Sequence, residues 1–258
     1  MSLVNFRDPA ALADPAARLV RHGLLFRSAQ PFPAADAGTV ELLAAHGIRT
    51  VIDLRGGAEI REGDWTAVEE AGIDVVRAPI EPVNEALEQA MRTMETGADL
   101  GAFYLLMAES APAGVAAAVE AAARPGAVLL HCAAGKDRTG LLVALLLDLL
   151  AVPVQEIVAD YARTADALPQ IFAGLAERNP AALNQVESGA LKVPAPLLAA
   201  PAEAMSAFLD LVRARYGSAA GFLDHCGAPA ATLAAVRAKN AARAGDVAGA
   251  ENVAGGAA

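Results

Sequence analysis

The sequence predicts an α/β fold, a mostly parallel central sheet flanked by helices, and three observations predict it. Short apolar runs at residues 24–27, 50–54, 75–76 and 127–130 alternate with stretches of helical periodicity. Several of these runs lack the apolar/polar alternation of a half-solvated strand, so they read as strands covered on both faces. The last run ends at Cys132, and a short polar loop then leads into a second apolar stretch at 141–150. In such sheets ligands gather beyond the carboxyl ends of the strands, and Arg27, Asp53 and Cys132 all fall near such ends.

Taken in order, the residues up to about His22 read as irregular, broken by Pro9 and Pro15. Strand 24–27 runs into Pro31 and Pro33. Asp36 is placed to cap a helix that carries Val40, Leu42 and Leu43 and stops at Gly47. The β-branched run 50–54 is ended by Gly56 and Gly57. A helix over 66–71 ends at Gly72, and the strand begun by Val75 and Val76 stops before Pro79. From 84 to 107 the pattern is amphipathic, with Leu87, Met91 and Met94 on one face. An alanine-rich helix over 112–123 ends near Pro125 and Gly126. After the helix that starts near Arg138, Pro153 marks a turn, and helices follow at 154–162 and 168–178. Pro180, Pro194, Pro196 and Pro201 break up the next part, and the final helices span 202–216 and 229–242. With no linker to divide the chain, one domain is expected over 1–243, followed by a disordered tail of small and polar residues at 244–258.

Composition narrows the function. At 55% hydrophobic and 19% charged, the 258 residues suit a chain that buries a core. A formal net charge of −10 argues against nucleic acid as a partner and against general attraction to an anionic membrane. A phosphoinositide would therefore have to be caught by a local basic site. Two cysteines, Cys132 and Cys226, leave no disulfide framework, so a reducing compartment is expected. Arg7 and Asp8 precede any long apolar run, which does not fit an ordinary signal peptide. The stretch 141–151 contains Asp148 and is too short to span a bilayer. The cytoplasm is the expected location, with export by a route that uses no cleaved signal left open.

The chemistry is concentrated in His131-Cys132-Ala133-Ala134-Gly135-Lys136-Asp137-Arg138-Thr139-Gly140. Between Cys132 and Arg138 stand only small or charged residues, Ala133 to Asp137, which lets the backbone curl with its N–H groups turned inward. Such a cup at a helix N-terminus binds an anion. A thiol at the same helix end, with Arg138 near by, should lose its proton more readily than a free cysteine and become a nucleophile. Arg138 can grip two oxygens of a tetrahedral phosphate as charge shifts onto them. Together these groups describe phosphate-ester cleavage through a cysteinyl-phosphate, with neither metal nor cofactor. A nucleotide P-loop fails on spacing, because Leu130 stands where its first glycine belongs and Asp137 where its Ser or Thr belongs. A metal site fails as well, since His22, His46, His131, His225 and the two cysteines form no paired ligand pattern. Cys226 reads as a core residue.

These residues resemble the active-site motif of the cysteine-dependent protein tyrosine phosphatases, His-Cys-x5-Arg-Thr-Gly. The fuller string HCAAGKDRTG is similar to the loop of their bacterial atypical group, HCxxGKDRTG. Weaker likenesses lie at 5–8, 25–28, 51–55 and 216–218. The resemblance implies a tyrosine-phosphatase-like fold with extra helical lid segments at 84–110 and 160–200. It also implies phosphotyrosine hydrolysis, with dual specificity and phosphoinositides as wider possibilities, and phosphate or sulfate as occupants of the loop.

Monoester cleavage needs a proton donor for the leaving oxygen. The Trp-Pro-Asp loop that supplies it in many tyrosine phosphatases is missing: the one tryptophan is Trp65, and Asp99 stands alone between Asp74 and Asp137. Asp137 lies inside the cup, where a neighbouring phosphate dianion disfavours its ionised form, and the resemblance assigns the same role to this position. The alternative is that its side chain ties the loop to the body of the protein. Asp53 is a second candidate acid, although an ion pair with Arg55 is an equally natural use of it. Lys136 would make the mouth cationic and favour substrates with extra phosphates, Thr139 would hydrogen-bond the sulfur, and His131 would orient the nucleophile. Two readings compete with a phosphoprotein phosphatase: an enzyme for phosphoinositides or inositol phosphates, and a phosphate receptor without turnover.

Overall fold

Four short strands, β1 (Leu25–Ala29), β2 (Ile48–Asp53), β3 (Asp74–Arg77) and β4 (Ala127–Cys132), pair in parallel in the order β1-β4-β2-β3. The computed structural model describes residues 3–12, 20–81, 85–188, 190 and 192–241. Pro15, Asn84 and the tail 244–258 lie outside them. Strand β4 is central and buried along its whole length, because two layers cover it. Its odd positions, Ala127 and Leu129, join Phe26 and Val51 in a core with Leu43, Trp65 and Val68. Its even positions, Val128, Leu130 and Cys132, join Leu25, Ile52 and Leu54 in the larger core. A strand clad on both faces has no polar side to show, which is why its sequence reads as an unbroken apolar run.

On the smaller face lie α1 (Ala37–Ala45) and α2 (Thr66–Glu70). Asp36 caps α1 as its sequence suggests: its Oδ1 accepts from Thr39 N at 2.9 Å, and Gly47 leaves the helix at φ +64. Between β3 and β4 come α3 (Glu85–Thr93), α4 (Gly97–Glu109) and α5 (Pro112–Ala122). The single amphipathic helix expected over 84–107 is two, because Thr96 and Asp99 close a capping box: Thr96 Oγ1 accepts from Asp99 N at 3.1 Å and Asp99 Oδ2 from Thr96 N at 2.8 Å. The new helix is no lid. Leu100, Phe103, Tyr104, Leu105, Met107 and Ala108 of α4 are buried, and a Cβ on Gly101 would meet Ala204 O at 2.5 Å. The part of the expected covering segment at 97–109 is a core helix instead.

After β4 the chain forms α6 (Asp137–Leu149), α7 (Val154–Ala162), α8 (Thr164–Arg178), α9 (Pro180–Glu187), α10 (Ala202–Tyr216), α11 (Ala219–His225) and α12 (Ala230–Asn240). Helix α6 is an unbroken apolar run from Leu141 to Leu147, and this part lies inside the larger core. The irregular stretch expected from 180 onward contains α9, started by Pro180 at a position where a missing N–H does no harm, and a 3₁₀ turn at Ala195–Leu198. Helix α8 begins four residues earlier than 168 and runs through Pro169. Helix α11 was not anticipated; Ser218 caps it by accepting from Gly221 N.

Two ion clusters hold the carboxyl ends of the strands. Asp160 on α7 sits between Arg7 Nε and Arg27 Nη1, each at 2.5 Å. Asp53 and Asp64 share Arg55, with Arg178 on Asp64 at 2.5 Å and Arg77 on Asp53. Burial alone would push these three carboxyls up. His131 and Arg55 beside Asp53, Arg178 and Arg55 beside Asp64, and Arg27 and Arg7 beside Asp160 reverse this and hold all three below the ordinary carboxylate range. A carboxyl depressed in the folded state stabilises fully above its unfolded pKa of about 3.9 and loses that contribution as pH falls through the folded value. Melting temperature should thus be level from about pH 7 to about pH 5 and fall steeply below about pH 4. Thermal melts across that range check this; an equally steep loss between pH 7 and 5 would refute it. Asp160→Asn should flatten the acid limb and cost about 3–5 kcal/mol at neutral pH, because two buried guanidiniums lose their partner.

Candidate active site

Strand β4 delivers Cys132 to the sheet's carboxyl edge as a free thiol, 2% exposed. The chain then turns through Ala133 to Lys136 and enters α6 at Asp137. Gly135 makes the turn possible. It has φ +63, and a Cβ there would lie 2.2 Å from Ser28 O, so conformation and space both demand glycine. Its carbonyl is pulled outward by Arg27 Nη2 at 2.7 Å and Asn5 Nδ2 at 3.1 Å. Ala133 O accepts from Gln30 N at 3.2 Å. With these carbonyls turned away, the amide N–H groups of Ala133, Ala134, Gly135 and Lys136 donate to no acceptor among the described residues. That row of free donors at the start of α6 is an anion cradle.

Arg138 closes the cup, held by a residue that sequence reasoning missed. Glu59, in the 3₁₀ turn Gly57–Glu59, accepts from Arg138 Nη1 at 2.5 Å and from Nη2 at 2.6 Å. This end-on fork leaves the Nε–H edge of the guanidinium for an anion. Burial opposes the charge on Glu59, but the Arg138 bonds outweigh it and keep the carboxyl below the ordinary range. Arg138 is raised despite its burial, by the Glu59 bonds first and then by the Cys132 sulfur. No sequence signal pairs residues 59 and 138.

The remaining candidates fall into different places. Asp137 Oδ1 accepts from Tyr104 Oη at 2.6 Å and lies 3.3 Å from Lys136 Nζ, with the side chain 23% exposed. Lys136 does not make the mouth cationic. It is buried, and its Nζ donates to Leu197 O at 2.5 Å and Ala199 O at 2.7 Å, carbonyls in and beside the Ala195–Leu198 turn. Thr139 Oγ1 is buried without a partner, so the hydrogen bond expected to the sulfur is not made. The carbonyl one helical turn back, Gly135 O, is already taken by Asn5 and Arg27. His131 turns to the opposite face of β4, its ring tilted against Trp65 at a centroid distance of 4.9 Å, with Nε2 3.4 Å from Asp53 Oδ1. Asp53 is fully buried and held by Arg55 through Nε at 2.9 Å and Nη2 at 2.7 Å. A carboxylate so surrounded is an ion-pair node and not a proton donor. Arg27 lies in the middle of β1, opposite Leu130, and reaches the loop through its side chain. Cys226 ends α11 in the core, its thiol pushed up to about 11 by burial and then by Glu109.

A cavity of about 220 Å³ opens beside the loop, lined by Gln30, Glu59, Arg61, Ala133, Leu175, Arg178 and Asn179. The end of α8 thus forms one wall of the mouth. A larger cavity of about 350 Å³, between residues 31–34 and α8, touches nothing from 131 to 140. The smaller one touches the loop at Ala133 and the Arg138 partner Glu59.

A model of the tyrosine phosphatase family matches residues 1–241. The chain is similar to the triple specificity protein phosphatase PtpB of Mycobacterium tuberculosis, with 31% identity over 270 residues that cover 90% of this chain and 95% of that protein. It is also similar to a tyrosine-protein phosphatase of Nostoc commune, with 33% identity over 224 residues, 86% of this chain and 74% of that one. Among solved structures, the Siw14 catalytic core aligns over 75% of this chain and 97% of its own with 14% identity and a TM-score of 0.42. A superposition that loose leaves the weight on the sequence relatives.

Proposed function

The chain belongs to the tyrosine phosphatase family, and from that premise we propose that it hydrolyses phosphate monoesters, phosphotyrosine in proteins first among them, through a cysteinyl-phosphate on Cys132. One observation carries this reading: a free thiol, a row of unpaired amides and a braced guanidinium meet in one turn between β4 and α6.

In the first step the Cys132 sulfur attacks phosphorus, an S–P bond forms and the ester P–O bond breaks. The amides of 133–136 and the Nε edge of Arg138 hold the non-bridging oxygens as negative charge moves onto them. Asp137 gives its proton to the departing oxygen. In the second step Asp137, now a carboxylate, takes a proton from water; the water oxygen bonds to phosphorus, the S–P bond breaks, and inorganic phosphate leaves with the thiolate restored. Asp137 is favoured over Asp53 because it is partly exposed, whereas Asp53 is sealed among cations. No step calls on a metal, so EDTA should leave the rate unchanged.

A second reading, phosphoinositides as substrates, draws on the relative named a triple specificity phosphatase. Lys136 gives it no support, since it is buried, beside Asp137, with its Nζ bonded to two carbonyls. Arg61, exposed on the wall of the 220 Å³ cavity with its Nη2 donating to Arg178 O, has further guanidinium N–H groups to offer a second phosphate. The deciding measurement is kcat/KM, with EDTA present, on a phosphotyrosine peptide and on phosphoinositide micelles. The peptide should be the better substrate. Arg61→Ala should lower kcat/KM on the micelles about two- to fivefold, the scale of an exposed ion pair, and leave the peptide unchanged. A strong preference for the micelles that survives Arg61→Ala would refute the order of substrates and the role of Arg61 together.

A further inference from the structure

Behind Asp137 lies a pair of buried hydroxyls that the mechanism above does not use. Tyr104 on α4 and Tyr161 on α7 are 0% and 1% exposed. Their oxygens are 2.7 Å apart, and Tyr104 Oη is 2.6 Å from Asp137 Oδ1. Two helices from different parts of the chain thus bring their phenols to one carboxylate oxygen, while among the described residues Asp137 Oδ2 has no hydrogen-bond partner.

The chain of hydroxyls can run in two directions, and the surroundings choose between them. With Tyr161 donating to Tyr104 and Tyr104 donating to Asp137 Oδ1, every hydroxyl proton has an acceptor. In the reverse order, with a proton on Oδ1, Asp137 would donate to Tyr104 and Tyr104 to Tyr161. The Tyr161 proton would then be buried without an acceptor, since Tyr161 Oη has no other partner among the described residues. Lys136 Nζ, 3.3 Å from the same Oδ1, also opposes a proton there. Burial, and after it the Asp137 charge, pushes both phenols above the ordinary tyrosine range. They therefore keep their protons and act as donors at any working pH.

We propose that Tyr104, backed by Tyr161, is a positioning residue for the general acid: the two hydroxyls occupy Asp137 Oδ1, fix the carboxyl's rotation, and leave Oδ2 to carry the proton passed to the leaving group. The inference rests on the assignment of Asp137 as the acid. It adds that one oxygen is structural and the other chemical, and that the difference is set from helices outside the loop.

The test compares Tyr104→Phe, Tyr161→Phe and Asp137→Asn in the full chain on p-nitrophenyl phosphate, whose phenol leaves readily, and on phenyl phosphate, whose phenol needs the proton. Tyr104→Phe should lower kcat/KM on phenyl phosphate about tenfold but on p-nitrophenyl phosphate by less than about twofold, because kcat/KM reports ester cleavage, where the proton is delivered, and not the later hydrolysis that both substrates share. Tyr161→Phe should show the same skew, about threefold, since it does not touch Asp137. Asp137→Asn should show the largest skew. Equal losses on the two substrates for Tyr104→Phe, or no loss at all, overturn the positioning role while a skewed Asp137→Asn keeps the acid assignment. A level Asp137→Asn overturns the acid assignment itself. If Tyr104→Phe melts early and cannot be assayed, Tyr161→Phe decides alone: a skew supports the inference, and its absence sinks it.

Discussion

Cys132→Ser is expected to lower kcat on p-nitrophenyl phosphate by at least about 10⁴-fold while leaving the affinity for inorganic phosphate within a few-fold of the parent protein. The two halves of this result come from different parts of the cup. Turnover needs a sulfur anion that attacks and later departs; a serine hydroxyl in the same place keeps its proton and makes a far poorer nucleophile and leaving group. Binding depends on the unpaired amides of 133–136 and on Arg138, and an oxygen in place of sulfur disturbs neither, since no side chain among the described residues relies on Sγ for a hydrogen bond. Steady-state assay and phosphate titration of the two proteins check both halves. Full activity in Cys132→Ser would sink the covalent route. Saturable phosphate binding with no nitrophenol released by the parent protein would instead favour a receptor that has lost turnover.

The cup was legible in the sequence because everything that builds it is contiguous. A strand, a glycine-bearing turn and a helix follow one another within His131–Gly140, so the neighbours in space are neighbours in the chain. The sheet was legible for a similar reason: strands buried on two faces betray themselves as apolar runs, and Asp36 announces its helix locally. What surrounds the cup was not. Glu59 reaches Arg138 across 79 positions, and a lone glutamate after two glycines carries no sign of its partner. Tyr104 and Tyr161 drew no notice in the sequence, because an aromatic residue in a helix reads as core, and their hydroxyl direction is a tertiary fact. Lys136 was misjudged because burial of an ammonium requires carbonyls from 197 and 199 that no local pattern predicts. The break before α4 is different, since Thr96-x-x-Asp99 is a capping signal that the run of Leu87, Met91 and Met94 obscured.

Arg138→Lys is expected to be the next most damaging change, lowering kcat/KM by about 10²–10³-fold, and Glu59 explains why so conservative a substitution should do so much. The guanidinium performs two tasks at once. Its terminal nitrogens fork onto Glu59 at 2.5 and 2.6 Å, and its Nε edge, which has no partner among the described residues, is left for two phosphate oxygens. Lysine has one nitrogen and no edge, so it can satisfy Glu59 or the phosphate but not both in fixed geometry. Held by Glu59, the ammonium would leave the developing charge on phosphorus to the backbone amides alone. The loss should accordingly appear in kcat as well as in phosphate affinity. Glu59→Gln separates the tasks: it keeps an acceptor for one Arg138 nitrogen but removes the charge that holds the fork, so kcat/KM should fall about tenfold and Arg138→Lys should cost less in that background than in the parent. The double-mutant cycle on kcat/KM measures this. Strictly additive losses would mean that Glu59 and Arg138 act independently, and the brace inferred from their contact would have to be abandoned.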